Sequence, residues 1–202
     1  MKILSKTSSD AGGRDDAELV QEAVGGDREA YAELVRRYQR RVRAVVTGMV
    51  RDPEVALDLT QEAFLKAWRS LPRFNAESSF YTWLYRIAVN LTIDYKRHER
   101  RQPLLETSIG DAAESTSLLE RVADESPAAD PEQAVQGEEL RERMRDAIGD
   151  LTPDHKAVIL LREVEGLSYE EIGLVMQCSK GTVMSRLHYA RKKLQACLGD
   201  CV

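Results

Sequence analysis

The stretch Leu167–Leu194, LSYEEIGLVMQCSKGTVMSRLHYARKKL, constrains the chain more than any other, because its local signals agree on one structure. Ser168 followed three residues later by Glu171 is an S-x-x-E capping box, in which each side chain satisfies an N–H that a helix start leaves unpaired. Ile172 and Met176, spaced i, i+4, give that short helix an apolar face. Gln177-Cys178-Ser179 interrupts it, and Ser179 can cap a second helix. There Val183, Leu187, Ala190 and Leu194 recur at the helical period. Lys180, Ser185, Arg186, His188, Tyr189 and Lys192 are left facing outward. Two short helices across a tight turn, the second polar and cationic on its outer face, predict a helix-turn-helix whose second helix lies in the DNA major groove. The competing reading is a helical hairpin with a solvated basic face. Caps, turn length and the crowded cations Arg191-Lys192-Lys193 together favour DNA.

The remainder of the chain also reads as helices. Residues 1–15 are rich in Ser, Gly and Asp, show no period, and are expected to be a disordered tail. From Asp16, Leu19, Ala23 and Val24 line a short helix that Gly25-Gly26 ends. Asp27 caps a long one carrying Ala30, Tyr31, Leu34, Val35, Tyr38, Val42, Val45, Val46 and Met49. Asp52-Pro53 is a stop and a new start, since proline suits the first helical position. The next helix sets Ala56, Leu59, Ala63, Ala67 and Leu71 on one side. The loop RFNAESSF follows Pro72, and Ser79 caps a helix running to about Glu99 with Leu84, Ile87, Ala88 and Leu91 as its stripe. After residues 102–137, helices resume at Glu138, and Thr152-Pro153 opens one with a cap and an N1 proline. No alternating strand pattern occurs. The expected fold is all-α, two small helical domains over residues 16–101 and 138–202, joined by a flexible linker over 102–137.

Charge divides the chain the same way. The net charge is −5, but residues 27–101 carry 15 Lys and Arg against 10 Asp and Glu, while residues 102–150 carry 4 against 13. Basic modules around an acidic connector suit two DNA-facing domains better than a uniformly basic coat. No apolar run approaches the ~20 residues of a membrane span, and the N-terminus lacks a signal-peptide core, so a cytoplasmic location without membrane insertion is expected. Cys178, Cys197 and Cys201 are too few for a disulfide framework. With only His188 nearby they make a poor zinc set. No metal or cofactor is expected. The chain carries no P-loop, no H-x-E with paired cysteines and no clustered acidic metal site, so an enzyme is not expected either. Asp58 and Glu62 at i, i+4 read as a solvated helix face.

The segment RFNAESSFYTWLYRIAVN concentrates five of the chain's twelve aromatic residues in eighteen positions: Phe74, Phe80, Tyr81, Trp83 and Tyr85. Surplus aromatics beside Arg and Lys are the composition of a platform for unstacked bases. The structural reading, in which Phe74, Trp83 and Tyr85 fill a small core, stands open for Trp83. Phe80 and Tyr81, at the loop–helix junction, are expected to meet nucleic acid.

Together, DLTQEAFLKAWRSL, RFNAESSFYTWLYRIAVN and LSYEEIGLVMQCSKGTVMSRLHYAR resemble the sigma factors of bacterial RNA polymerase, of the extracytoplasmic-function (ECF) type, over residues 16–198. The resemblance implies that Asp58, Gln61, Glu62 and Phe64 dock on a coiled coil of core RNA polymerase. An acidic and amide face meeting a basic coiled coil is electrostatically sensible. It implies a −10 DNA surface of Phe74, Asn75, Ser79, Phe80, Tyr81, Trp83, Arg86 and Asn90, with Lys96, Arg97, Arg100 and Arg101 on phosphates. A −35 surface would comprise Lys180, Thr182, Met184, Ser185, Arg186, His188, Tyr189 and Arg191. Core polymerase, promoter DNA and an anti-sigma factor are the implied partners, in a stress or envelope response. Met184 and Tyr189 depart from the pattern, standing where many relatives carry Arg, so the −35 preference does not transfer. The alternative from another class is a conventional helix-turn-helix regulator with an N-terminal sensing domain; the aromatic loop argues against it.

Overall fold

Helix caps fix where the elements begin, and a computed structural model describes them over residues 14–101 and 146–199, with side chains to residue 196. Helix α1 spans Asp16–Val24, α2 Arg28–Val50, α3 Pro53–Ser70 and α4 Phe80–Arg101, with a 3-10 turn at Leu71–Arg73. The second module holds helical backbone at 146–149, then α5 (Pro153–Glu163), α6 (Tyr169–Met176) and α7 (Lys180–Gly199). The carboxylate of Asp27 accepts the N–H of Glu29 at 2.8 Å, and that of Asp52 accepts Glu54 at 2.9 Å. Ser168 and Glu171 close their capping box at 2.8 and 3.2 Å. Ser79 and Ser179 cap α4 and α7 through the N–H of Thr82 and Thr182, at 3.1 and 3.2 Å.

Among the described residues no strand occurs, as the period-3.6 pattern requires. Leu19, Leu34, Val42, Met49, Ala56, Ala63, Leu84 and Ala88 meet in the core of the first module. Leu151, Leu161, Ile172, Val175, Val183 and Leu187 do so in the second, and the two groups are continuous. No local sequence signal indicates that continuity. Helix α4 lies against α6 and α2 against α5, so the modules are packed on one another. Helix α1 begins at Asp16, the expected start, and contacts of the two residues before it tie that start down. Arg14 pairs with Glu22 at 2.7 Å, the N–H of Asp15 donates to Glu18 at 3.2 Å, and Arg37 pairs with Asp16 at 2.5 Å. The expected linker 102–137, the start of the 138–202 domain, and the thiols of Cys197 and Cys201 lie outside the described residues.

The helix-turn-helix turn depends on two backbone features. Gln177 closes α6 in the left-handed region at φ 50°, a position that glycine fills more cheaply. Gly173 lies so near the turn that a Cβ there would meet the Cys178 carbonyl oxygen at 3.0 Å. The turn therefore folds back tightly on the end of α6, where a side chain at 173 would crowd it.

Candidate nucleic-acid and protein-docking surfaces

Three surfaces gather the residues singled out by sequence. The first is a groove of about 960 Å³ between α2 and α3. Its floor includes Tyr31, Phe64 and Trp68, its rim Leu57, Leu65 and Gln61. Leu57 and Leu65 are exposed apolar side chains, which a helix keeps on its outer face when a partner covers them. Asp58, Gln61 and Glu62 are exposed on α3, while Phe64 is buried and its carbonyl accepts the Tyr31 hydroxyl at 2.6 Å. Burial, opposed by a backbone hydrogen bond, raises the Tyr31 hydroxyl pKa above its ordinary value, so the group stays protonated. The acidic and amide character expected of this surface belongs to the α3 wall alone. Arg28, Arg40 and Arg43 line the α2 side.

The second surface is the start of α4 with the loop before it. Asn75 accepts the N–H of Glu77 at 3.4 Å, and Ala76 has φ 56°, so the loop turns back tightly. The rings interlock: Phe74 lies 5.1 Å from Trp83, Phe80 5.9 Å from Trp83, and Tyr38 5.9 Å from Phe80. Phe80 and Trp83 are buried, Phe74, Ser79 and Tyr81 half-buried, and Asn75 exposed. The aromatic cluster is thus largely a packed support with an exposed polar rim. Further along α4, Arg86, Asn90 and Lys96 are half-buried and Arg97, Arg100 and Arg101 exposed.

Tyr81 takes part in a contact that sequence did not anticipate. Its hydroxyl donates to the Glu165 carboxylate at 3.0 Å and accepts from Arg41 at 2.7 Å, and the Arg41 guanidinium lies 4.5 Å over its ring. Arg41 also donates to Glu165 at 2.9 Å. The Glu165 side chain is 1% exposed, so a carboxylate of the second module is enclosed by the first. Burial first, then the charge of Glu165, raises the Tyr81 hydroxyl pKa above its ordinary value. The pair spans 124 positions in sequence. Nothing in the local pattern Val164-Glu165-Gly166 signals it.

The third surface is the outer face of α7. Lys180, Met184, Ser185, His188, Tyr189 and Arg191 are exposed, and Thr182 and Arg186 half-buried, while Val183, Leu187 and Ala190 are buried. The period therefore assigned inside and outside correctly. Several cations are paired. Lys180 meets Glu170 at 2.5 Å, Arg191 meets Glu163 at 2.7 Å, and Arg186 meets Asp154 at 3.5 Å. Asp154 also lies 3.8 Å from Arg97 of α4, so one carboxylate faces a cation from each module. Among the described residues no group of three His, Cys, Asp or Glu could hold a metal ion, and no helix is long and apolar enough to cross a membrane.

Comparison with known proteins gives both modules counterparts. Sigma-70 region 2 matches residues 34–102, and Sigma-70 region 4 matches residues 141–194. The chain is 40% identical over 180 residues to the ECF RNA polymerase sigma-E factor of Haemophilus influenzae, covering 89% of this chain and 93% of that one. It is 41% identical over 179 residues to the Escherichia coli protein of the same name, covering 89% and 92%. The RNA polymerase sigma-H factor of Pseudomonas aeruginosa is 37% identical, covering 91% and 93%. The fold is similar to that of CnrH, solved with the cytosolic domain of CnrY, at TM-score 0.66 and 23% identity, covering 93% of this chain and 99% of that one. It is also similar to the sigma factor RpoE of Bartonella quintana, solved with the anti-sigma factor NepR, at TM-score 0.61 and 22% identity, covering 85% and 98%.

Proposed function

We infer the function from one premise, that the chain belongs to the ECF sigma factors of bacterial RNA polymerase. It binds core polymerase and directs promoter recognition and DNA opening at initiation. It does so by binding alone, without catalysis of its own, in the cytoplasm where the polymerase works. The observation that carries the reading is the coexistence, in one chain, of an open apolar groove beside exposed acids and a capped recognition helix with an exposed mixed face. The first suits a protein helix and the second suits DNA, and a conventional regulator has no need of the groove.

In this assignment Asp58, Gln61, Glu62 and the groove floor at Phe64 take the polymerase coiled coil, with the arginines on the α2 side answering its acidic residues. Asn75, Ser79 and Tyr81, supported by Phe74, Phe80 and Trp83, receive an unstacked −10 base, and Asn90 offers an amide that can both donate and accept. Arg86, Lys96, Arg97 and Arg100 hold phosphates. The α7 face, Lys180 to Arg191, reads the −35 element. Each module binds weakly, and tethering both to polymerase raises their effective concentration over the promoter. An anti-sigma factor holds the free protein inactive, by analogy with RpoE of Bartonella quintana, solved with the anti-sigma factor NepR. Run-off transcription with purified core polymerase on a promoter library tests this. Transcripts that depend on the protein, with defined −10 and −35 preferences, are expected; independence from it would exclude the reading.

A further inference from the structure

Among the described residues, Tyr189 is one of two large apolar side chains exposed on α7, at 57%. A ring on an open helix surface samples several rotamers, and ordering it on binding costs conformational entropy. Here the ring is already engaged. His155, from the first turn of α5, lies against it with centroids 4.8 Å apart and planes tilted by 37°.

His155 is itself held. Its Nδ1 lies 2.5 Å from the hydroxyl of Thr152, the N-cap of α5, and its backbone N–H donates to the same oxygen at 3.4 Å. Pro153 at the first helical position stiffens that turn. Burial and the charge of Arg186 keep the imidazole pKa below its ordinary value, against the opposing carboxylate of Asp154 and with Lys193 adding to the effect. This disfavours the imidazolium, and a neutral imidazole stacks on the phenol without adding a cation to the surface. The preceding residue, Asp154, faces Arg186 at 3.5 Å. The turn Thr152–His155 thus touches two of the side chains directed at DNA.

We propose that His155 is a positioning residue for −35 recognition, holding the Tyr189 ring so that its apolar edge reads the C5-methyl group of one thymine in the major groove. A thymine methyl is the apolar feature that a base pair presents there, and an aromatic edge packs on it without needing a hydrogen-bond partner. The inference rests on the reading of α7 as the major-groove helix.

The test uses the full chain with core polymerase and a −35 duplex in which each thymine is replaced in turn by deoxyuridine, which removes only the methyl group. At one position the wild type is expected to bind about fourfold more weakly, the value of one buried methyl. Tyr189→Ala and His155→Ala should both abolish that penalty, and His155→Phe, which keeps a ring at the site, should restore it. A purely structural role for His155 would lower binding to all duplexes alike and leave the penalty intact. A penalty that vanishes in Tyr189→Ala but survives in His155→Ala overturns the positioning role. A penalty absent in the wild type, or unaffected by Tyr189→Ala, overturns the thymine contact. Arg186→Ala separates these from the premise: if it too leaves −35 binding unchanged, the assignment of α7 as the reading helix fails instead.

Discussion

Trp83 and Tyr189 are both aromatic and both fall in segments proposed to meet DNA, yet one is 8% exposed and the other 57%. Trp83 is enclosed by Phe74 and Phe80, whereas Tyr189 touches one ring, that of His155. The difference separates two ways of building the surfaces proposed to meet DNA. In the first module the aromatic group is the scaffold that shapes a loop, so changing it alters fold and recognition together. In the second the scaffold is aliphatic, Val183, Leu187 and Ala190, and the side chains proposed to read DNA stand outside it. Preference there can change without loss of the fold.

The largest effect that would break this comparison is on stability. Trp83→Ala removes a buried ring from an interlocked cluster and is expected to cost about 3–5 kcal/mol. Tyr189→Ala should fall within about 0.5 kcal/mol of wild type, as exposed positions do. Urea denaturation followed by circular dichroism measures both. Equal losses would show that burial does not distinguish the two surfaces.

Next is the contact that joins the modules. Glu165→Gln keeps the shape of the side chain and removes the charge that Arg41 and Tyr81 share. A charge-assisted hydrogen bond contributes roughly 1.5–3 kcal/mol, so a loss of that order is expected in the packing of one module on the other. Small-angle scattering of the full chain should report a larger radius of gyration. An unchanged curve would mean that the apolar packing of α4 on α6 holds the arrangement without the ion pair.

This contact also marks the limit of what the sequence could reveal. Caps, proline positions and the 3.6-residue period located α2, α3, α5, α6 and α7, because each is a local signal within a few residues of its effect. The same period placed Val183 and Leu187 inside and Met184 and Tyr189 outside. It could not place Glu165 in the first module, since the pairing with Arg41 arises only once two helices distant in sequence are packed. For the same reason Phe80 reads as a nucleic-acid residue from composition but is buried in the fold. Composition counts aromatics without saying which neighbours enclose them. Asp154 and His155 were hidden differently: they occupy an ordinary first helical turn, and their importance comes from what α7 presents to them.

A smaller effect tests the second half of the comparison. Arg186 is half-buried and its pair with Asp154 is long, at 3.5 Å. Arg186→Ala is expected to weaken −35 binding by roughly 1–3 kcal/mol if the guanidinium contacts a base, about 5- to 150-fold. The thermal midpoint should change little, because no buried carboxylate is left unpaired. Fluorescence anisotropy against thermal denaturation separates the two readouts. A lowered midpoint with unchanged affinity would place Arg186 with Trp83, as scaffold.

The last effect concerns the seam between the modules. Lys156 of α5 is 6% exposed, and burial, followed by the charges of Arg51, Lys96 and Arg100, pushes its amine down to about 8 from 10.5. Below pH 8 folded and unfolded chains both hold the proton, and the buried charge weighs on the fold. Between pH 8 and 10.5 the unfolded chain binds more protons than the folded one, so stability rises with pH, by at most about 1.4 kcal/mol per unit. Above the unfolded value the gain is complete, and it is lost again as pH falls through 8. Lys156→Met lacks the titrating group, so the stability difference between wild type and this variant should climb between pH 8 and 10. A flat difference would mean that the amine keeps its charge across this range. The seam would then be loose enough for water to reach Lys156, and the two modules would be less firmly joined than the enclosed Glu165 implies.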